Sequence, residues 1–144
     1  MLTKYSLEDV EFEVPSSWDV SEIDGAIEIL DAQHKGALHL SVLRRTKIAA
    51  LCELDARLLV ENFASNNGLV PEELIVSRTN ASEGRAIGPF RPVQPTEETP
   101  LHWLVGCVVW PTKAVRASYC TDLLDAQNFE LATAIIESVR RKSS

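Results

Sequence analysis

The stretch from Leu101 to Trp110 constrains the fold more than any other. Read as a strand, it puts Leu101, Trp103, Val105, Cys107 and Val109 on one side and His102, Leu104, Gly106, Val108 and Trp110 on the other. Both sides are mostly apolar. A strand of that kind belongs in the middle of a sheet covered on both faces. With 144 residues, the chain has room for one domain, residues 1–144, and at this length roughly two-thirds of the unfolded surface can be buried. Its 45% hydrophobic and 24% charged residues match a self-supporting globular core rather than a disordered chain.

Elsewhere the periodicity alternates between strand and helix. Val10, Phe12 and Val14 alternate with Asp9, Glu11 and Glu13, which predicts a half-buried strand; Pro15 stops it and Ser16-Ser17-Trp18 turns the chain. Ala26–Leu30 and Gly36–Leu43 read as strands joined by a Gly-containing hairpin loop, with a short extra strand at Thr3–Ser6. Leu51, Leu54, Leu58, Leu59 and Phe63 predict the buried stripe of a helix from Ala50 to Asn66, stopped by Gly68. Strands follow at Glu73–Arg78, Glu83–Phe90, Leu101–Trp110 and Lys113–Thr121, with three prolines marking residues 91–100 as a loop. Asp125 is the expected N-cap of a closing helix with Phe129, Ala132, Ile135, Ile136 and Val139 buried and Arg140, Arg141 and Lys142 at its end. The expected class is α+β: a mostly antiparallel sheet of six to seven strands sandwiched between two helices, in three α/β/α layers.

Charge and motif content narrow the function. Fourteen Lys+Arg against 21 Asp+Glu give a net −7, which weighs against a nucleic-acid partner, because such binders carry a basic footprint. No run approaches the roughly 20 apolar residues of a membrane span, and the start lacks the basic and apolar regions of a signal peptide. Cys52, Cys107 and Cys120 form an odd set without CxxC spacing, so free thiols and a cytoplasmic setting are expected. His34, His39 and His102 show no metal-ligand spacing, no GxSxG elbow or phosphate loop occurs, and Cys107 and His102 point to opposite faces of one strand. The expectation is a chain with no catalytic residues, metal or cofactor.

Charge segregation stands out instead. Residues 1–31 hold nine acidic residues against Lys4 alone, a net −8, whereas residues 32–144 carry 13 basic and 12 acidic residues, a net +1. Glu8, Asp9, Glu11, Glu13, Asp19 and Glu22 are therefore the candidate docking residues for a basic protein, with Asp9, Glu11 and Glu13 as an acidic row on one strand face. The structural alternative is an edge strand whose charges prevent aggregation. Phe90 and Arg91, at the mouth of the Pro-rich loop, are the candidate anchor, since aromatics and Arg dominate binding hot spots; the alternative for Phe90 is a plug at the core edge.

The start Phe12-Glu13-Val14-Pro15-x-x-Trp18 and the close Ile135-Ile136-Glu137-Ser138-Val139 resemble the PsbP-like and Mog superfamily, whose members often show F-x-[VL]-P-x-x-W and I-L-x-S-[IVF]. The resemblance implies an antiparallel sheet between helices and a role in binding proteins rather than catalysis. Its bacterial relatives include type VI secretion effector chaperones, which tend to carry D-R-[ST]-x-N where this chain has Asp19-Val20-Ser21-Glu22-Ile23. Only Pro15 and Trp18 carry over, as structural residues. Three functional expectations follow. The first is a bacterial accessory or immunity-type protein covering a basic partner such as a toxin. The second is a secretion chaperone gripping an apolar segment of an effector, possible as a homodimer. The third is a small-ligand binder or enzyme with a pocket between sheet and helix, using His39 or His102.

Overall fold

The computed structural model describes residues 1–44, 53–80, 83–92, 102–110, 113–121 and 125–141. The described residues form two helices, an eight-stranded sheet and a three-stranded sheet, with every strand pair antiparallel. The small sheet orders β1 (Leu2–Leu7), β2 (Val10–Pro15) and β11 (Arg140–Arg141) as β1-β2-β11. The large sheet is built from β3 (Asp19–Ile23), β4 (Ala26–Leu30), β5 (Gly36–Arg44), β6 (Leu69–Pro71), β7 (Ile75–Asn80), β8 (Glu83–Pro92), β9 (His102–Trp110) and β10 (Lys113–Thr121). Its order is β3-β4-β5-β10-β9-β8-β6, with β7 also on β8. Helices α1 (Glu53–Asn66) and α2 (Ala126–Ser138) complete the set.

Strand β9 lies between β10 and β8, and each of its residues from Leu104 to Trp110 is buried. The pleat divides them. Leu104, Val108 and Trp110 join Phe12, Trp18, Tyr119, Ile135 and Ile136 in one apolar cluster, which holds side chains of α2 and of the small sheet. Val105, Cys107 and Val109 join Ala56, Val60, Ala64 and Phe90 in a second cluster, which holds α1. Each large apolar side chain taken fully from water contributes about 1.5–3 kcal/mol, so the two-sided apolar pattern of β9 favours burial of its side chains in both clusters.

The strand count exceeds the expected six to seven because three strands carry weak signals. β3 is almost wholly polar on the outside, and only Val20 packs on the core. β6 spans Leu69 to Pro71 and ends on a residue that cannot donate to a ladder. β11 was expected as the basic end of the last helix. Instead α2 stops at Ser138, Val139 adopts an extended conformation (φ −63°, ψ 126°), and Arg140 and Arg141 pair with Glu11 and Val10 of β2. The Asp125 cap is as expected, accepting from the backbone N–H groups of Gln127 and Asn128 at 2.9 and 3.2 Å.

Helix α1 is rotated relative to the expected Leu stripe. Ala56, Val60 and Ala64 face the second cluster, Leu59 and Phe63 flank it, and Leu58 is 55% exposed. Small side chains at i, i+4 and i+8 let the helix approach the sheet closely, leaving Leu58 outside. Residues 50–52 of the expected helix and 93–100 of the expected loop lie outside the described residues, as does Cys52. The strand expected at Glu73–Arg78 sits two residues later because the chain at Glu73 crosses over β8. It passes so close to Gly88 that a Cβ there would collide with the Glu73 carbonyl.

Candidate protein-docking surface

The acidic residues of the first segment fall into two groups with different neighbours. In the first group, β2 buries Val10, Phe12 and Val14 and turns Glu11 and Glu13 to its other face, as alternation requires. β11 then brings its cations alongside. Arg140 donates from Nε to Glu11 Oε1 at 2.8 Å, and its second arm lies 3.7 Å from Glu13. The hydrogen bond that Arg140 donates to Glu11, with the charges of Glu11 and Glu13, raises the Arg140 pKa above its ordinary value. Asp9, in the β1–β2 turn, pairs with Lys113, whose side chain is otherwise buried on β10. Glu8 occupies the same turn with φ +57°. Of the expected acidic row, only Glu11 and Glu13 share a face of β2, since Asp9 lies in the turn before the strand, and all three are matched from within the molecule.

The second group lies on the β3–β4 hairpin. Asp24 and Gly25 form its two-residue turn with φ +50° and +79°, the left-handed pair that an Asp-Gly sequence supplies for a type I′ hairpin. Asp19 meets His34 Nε2 at 2.5 Å, and Glu28 meets His39 Nε2 at 3.0 Å. Glu22 and Asp24 are exposed, and among the described residues neither has an ion-pair partner. The fifth acid, Asp31, is fully buried: it accepts from the Tyr119 hydroxyl at 2.8 Å and from the Lys35 N–H at 2.9 Å. Burial, then the Asp31 hydrogen bond and charge, push the Tyr119 pKa well above the ordinary phenol. Asp31 therefore anchors the loop after β4 and is withdrawn from any partner.

Phe90 is not the exposed anchor expected from its place beside the loop. It is 2% exposed and packs in the α1 cluster, facing Trp103 across the ladder with β9. The physical reason is register: Phe90 shares a sheet face with Ala86 and Gly88, beneath α1, and the alternate residue Arg91 is the exposed one. Beside it a groove of about 300 Å³ runs between α1 and β6, lined by Glu61, Ala64, Ser65, Leu69, Pro71 and Phe90 among others.

The remaining chemistry is structural. Burial pushes the Cys107 thiol up to about 12 despite the nearby Arg116, so it stays protonated and inert at neutral pH. Neither Cys107 nor Cys120 forms a disulfide. Arg85 donates to the Glu137 and Val139 carbonyls at 2.6 and 2.7 Å, where α2 ends. His39 lies on a face of β5 that also presents Ser41, next to Glu28 of β4 and Ser118 of β10. No group of three His, Cys, Asp or Glu side chains suited to a metal ion occurs among the described residues. No helix among them is long and apolar enough to cross a membrane.

Sequence reasoning placed Asp19 and Glu22 among the docking residues but missed that they form an edge strand, and missed Arg140 and Lys113 as internal partners. The Asp24-Gly25 dipeptide between Val20 and Ile27 is the signal that reveals the hairpin. No local signal pairs Arg140 with Glu11, 129 positions away.

No family model matches the chain, and no curated protein matches it. Among solved structures, it is similar to a crystal structure at 1.50 Å resolution of a protein from Bacteroides thetaiotaomicron VPI-5482, with a TM-score of 0.66 and 14% sequence identity. That match covers 100% of this chain and 50% of the other, so the chain spans half the length of the protein it resembles. At this identity the likeness concerns the fold alone.

Proposed function

We propose that this chain is a non-catalytic protein-binding domain, of an accessory or immunity type, whose β3–β4 hairpin receives a basic protein partner. One observation carries the reading: residues 19–30 hold Asp19, Glu22, Asp24 and Glu28 without a Lys or Arg, and Glu22 and Asp24 are unpaired among the described residues. Like charges held together without internal cations raise the local potential, speed encounter with a basic surface and repel acidic ones. Glu8, Asp9, Glu11 and Glu13 lie on the other sheet and, where paired to Arg140 and Lys113, contribute less to that field. Arg91 is exposed at the far edge of the large sheet and is a secondary contact at most.

The finer architecture belongs to the same proposal. The layering is that of the PsbP-like and Mog superfamily, with α1 over one face of the large sheet and α2 over the other; the division of β9 side chains between two clusters supports it. The chaperone reading draws its support from the α1–β6 groove, where an apolar segment could lie against Leu69 and Pro71.

The test is capture of the partner from the native host, identified by mass spectrometry, followed by binding to charge variants. Glu22→Lys plus Asp24→Lys should slow association by roughly tenfold at low salt, whereas a substitution at an exposed groove residue such as Ser65→Trp should leave it unchanged. The reverse pattern would assign binding to the groove and overturn the acidic reading.

A further inference from the structure

We infer that the basic partner adds an extended segment to the open edge of β3, so that recognition is strand addition; this rests on the hairpin being the docking surface. β3 is the terminal strand of the large sheet and, among the described residues, pairs with β4 alone. Its two-residue turn makes Ile23 and Ala26 a hydrogen-bonded pair, and bonded and non-bonded pairs alternate from there along an antiparallel ladder. Asp19, Ser21 and Ile23 therefore direct their N–H and C=O groups to β4. Val20 and Glu22 direct theirs outward, ready to accept another strand.

The side chains along this edge define what fits. The pleat puts Asp19, Ser21 and Ile23 on one face and Val20 and Glu22 on the other. Ile23 is 51% exposed, and Val20 packs on the core. An antiparallel strand laid here meets them in the order Ile23, Glu22, Ser21, Val20, Asp19. Cross-strand pairing then favours the pattern apolar, basic, polar, apolar, basic from its N-terminus. A second copy of the chain would bring one acid-only hairpin against another, which like-charge repulsion opposes. The occupant is thus an extended segment of another protein with basic residues placed opposite Glu22 and Asp19.

The test is a titration of the full chain, followed through its backbone amide NMR signals, with a capped peptide carrying Val-Lys-Thr-Val-Lys. Saturable shifts should concentrate at the Val20 and Glu22 amides. The same peptide, N-methylated at the two residues that would face Glu22 and Val20, should lose saturable binding. Glu22→Pro, which removes an outward donor at a position where an edge tolerates proline, should also abolish it, while Glu22→Gln should weaken it only a few-fold. Retained binding of the N-methylated peptide, together with loss on Glu22→Lys, would overturn strand addition and leave the acidic docking surface standing. Shifts absent from the hairpin, or a dimer through β3 in the free protein, would overturn strand addition outright.

Discussion

The two acidic stretches of residues 1–31 have similar composition and opposite fates. On β2, Glu11 and Glu13 meet Arg140, and nearby Asp9 meets Lys113. On the β3–β4 hairpin, Glu22 and Asp24 meet no cation among the described residues, and Asp19 and Glu28 meet only histidines. The difference comes from topology: β11 returns to β2 and carries the chain's late cations with it, whereas β3 is a sheet edge to which no described strand returns. Charge counted along a sequence therefore says little about surface potential until the pairing is known.

The contrast extends to what lies beneath each stretch, and this gives the largest expected effect. Phe12 is 2% exposed and stacks with Tyr5 at 6.1 Å, so Phe12→Ala should destabilise the fold by about 3–5 kcal/mol in chemical denaturation. Ile23→Ala, on the hairpin edge, should stay within about 0.5 kcal/mol. Equal effects would erase the distinction between a supporting strand and a docking strand.

The hairpin's anchor is tested next. Tyr119→Phe leaves the buried Asp31 carboxylate short of a donor and should cost about 1–3 kcal/mol. Alkaline pH acts on the same core. Cys107 is raised from 9.0 to about 12, so the unfolded thiol releases its proton before the folded one. The folded chain then binds more protons than the unfolded chain. Stability is full below pH 9 and falls as pH rises toward about 12, by about 1.4 kcal/mol per unit from this thiol. Tyr119, raised by burial and by Asp31, acts in the same direction. Denaturation midpoints that stay flat with pH above 9 would contradict the burial of both groups.

Smaller still is Asp9→Asn, which leaves the buried Lys113 ammonium with a neutral partner and should cost about 1 kcal/mol. Smallest is Arg140→Ala, a salt-sensitive drop in melting temperature. Its more informative readout is binding: unmasking Glu11 and Glu13 should speed association with a basic partner. If it does not, the acidic stretch on β2 plays no part in steering.

Much of the fold is legible in the chain because burial writes itself into periodicity. The two-sided apolar run of β9, the alternation of β2 and the Asp125 cap each have one physical cause and one pattern. The same is not true of β3, whose residues face water on most sides, nor of α1, where close approach to the sheet favours Ala56 and Ala64 over the leucines that a hydrophobic stripe suggests. The candidate site was legible as charge but not as place. Phe90 shows why: adjacency to a loop says nothing of which side of the strand a residue takes, and one step in register separates it from exposed Arg91.

The salt dependence of association with the partner recovered from the native host tests the central claim most directly. With the natural hairpin, the association rate should fall steeply as ionic strength rises, and Glu22→Lys plus Asp24→Lys should flatten that slope while Glu11→Gln plus Glu13→Gln changes it less. Identical slopes for the hairpin variant and the unaltered chain would contradict an electrostatic docking surface on β3 and β4.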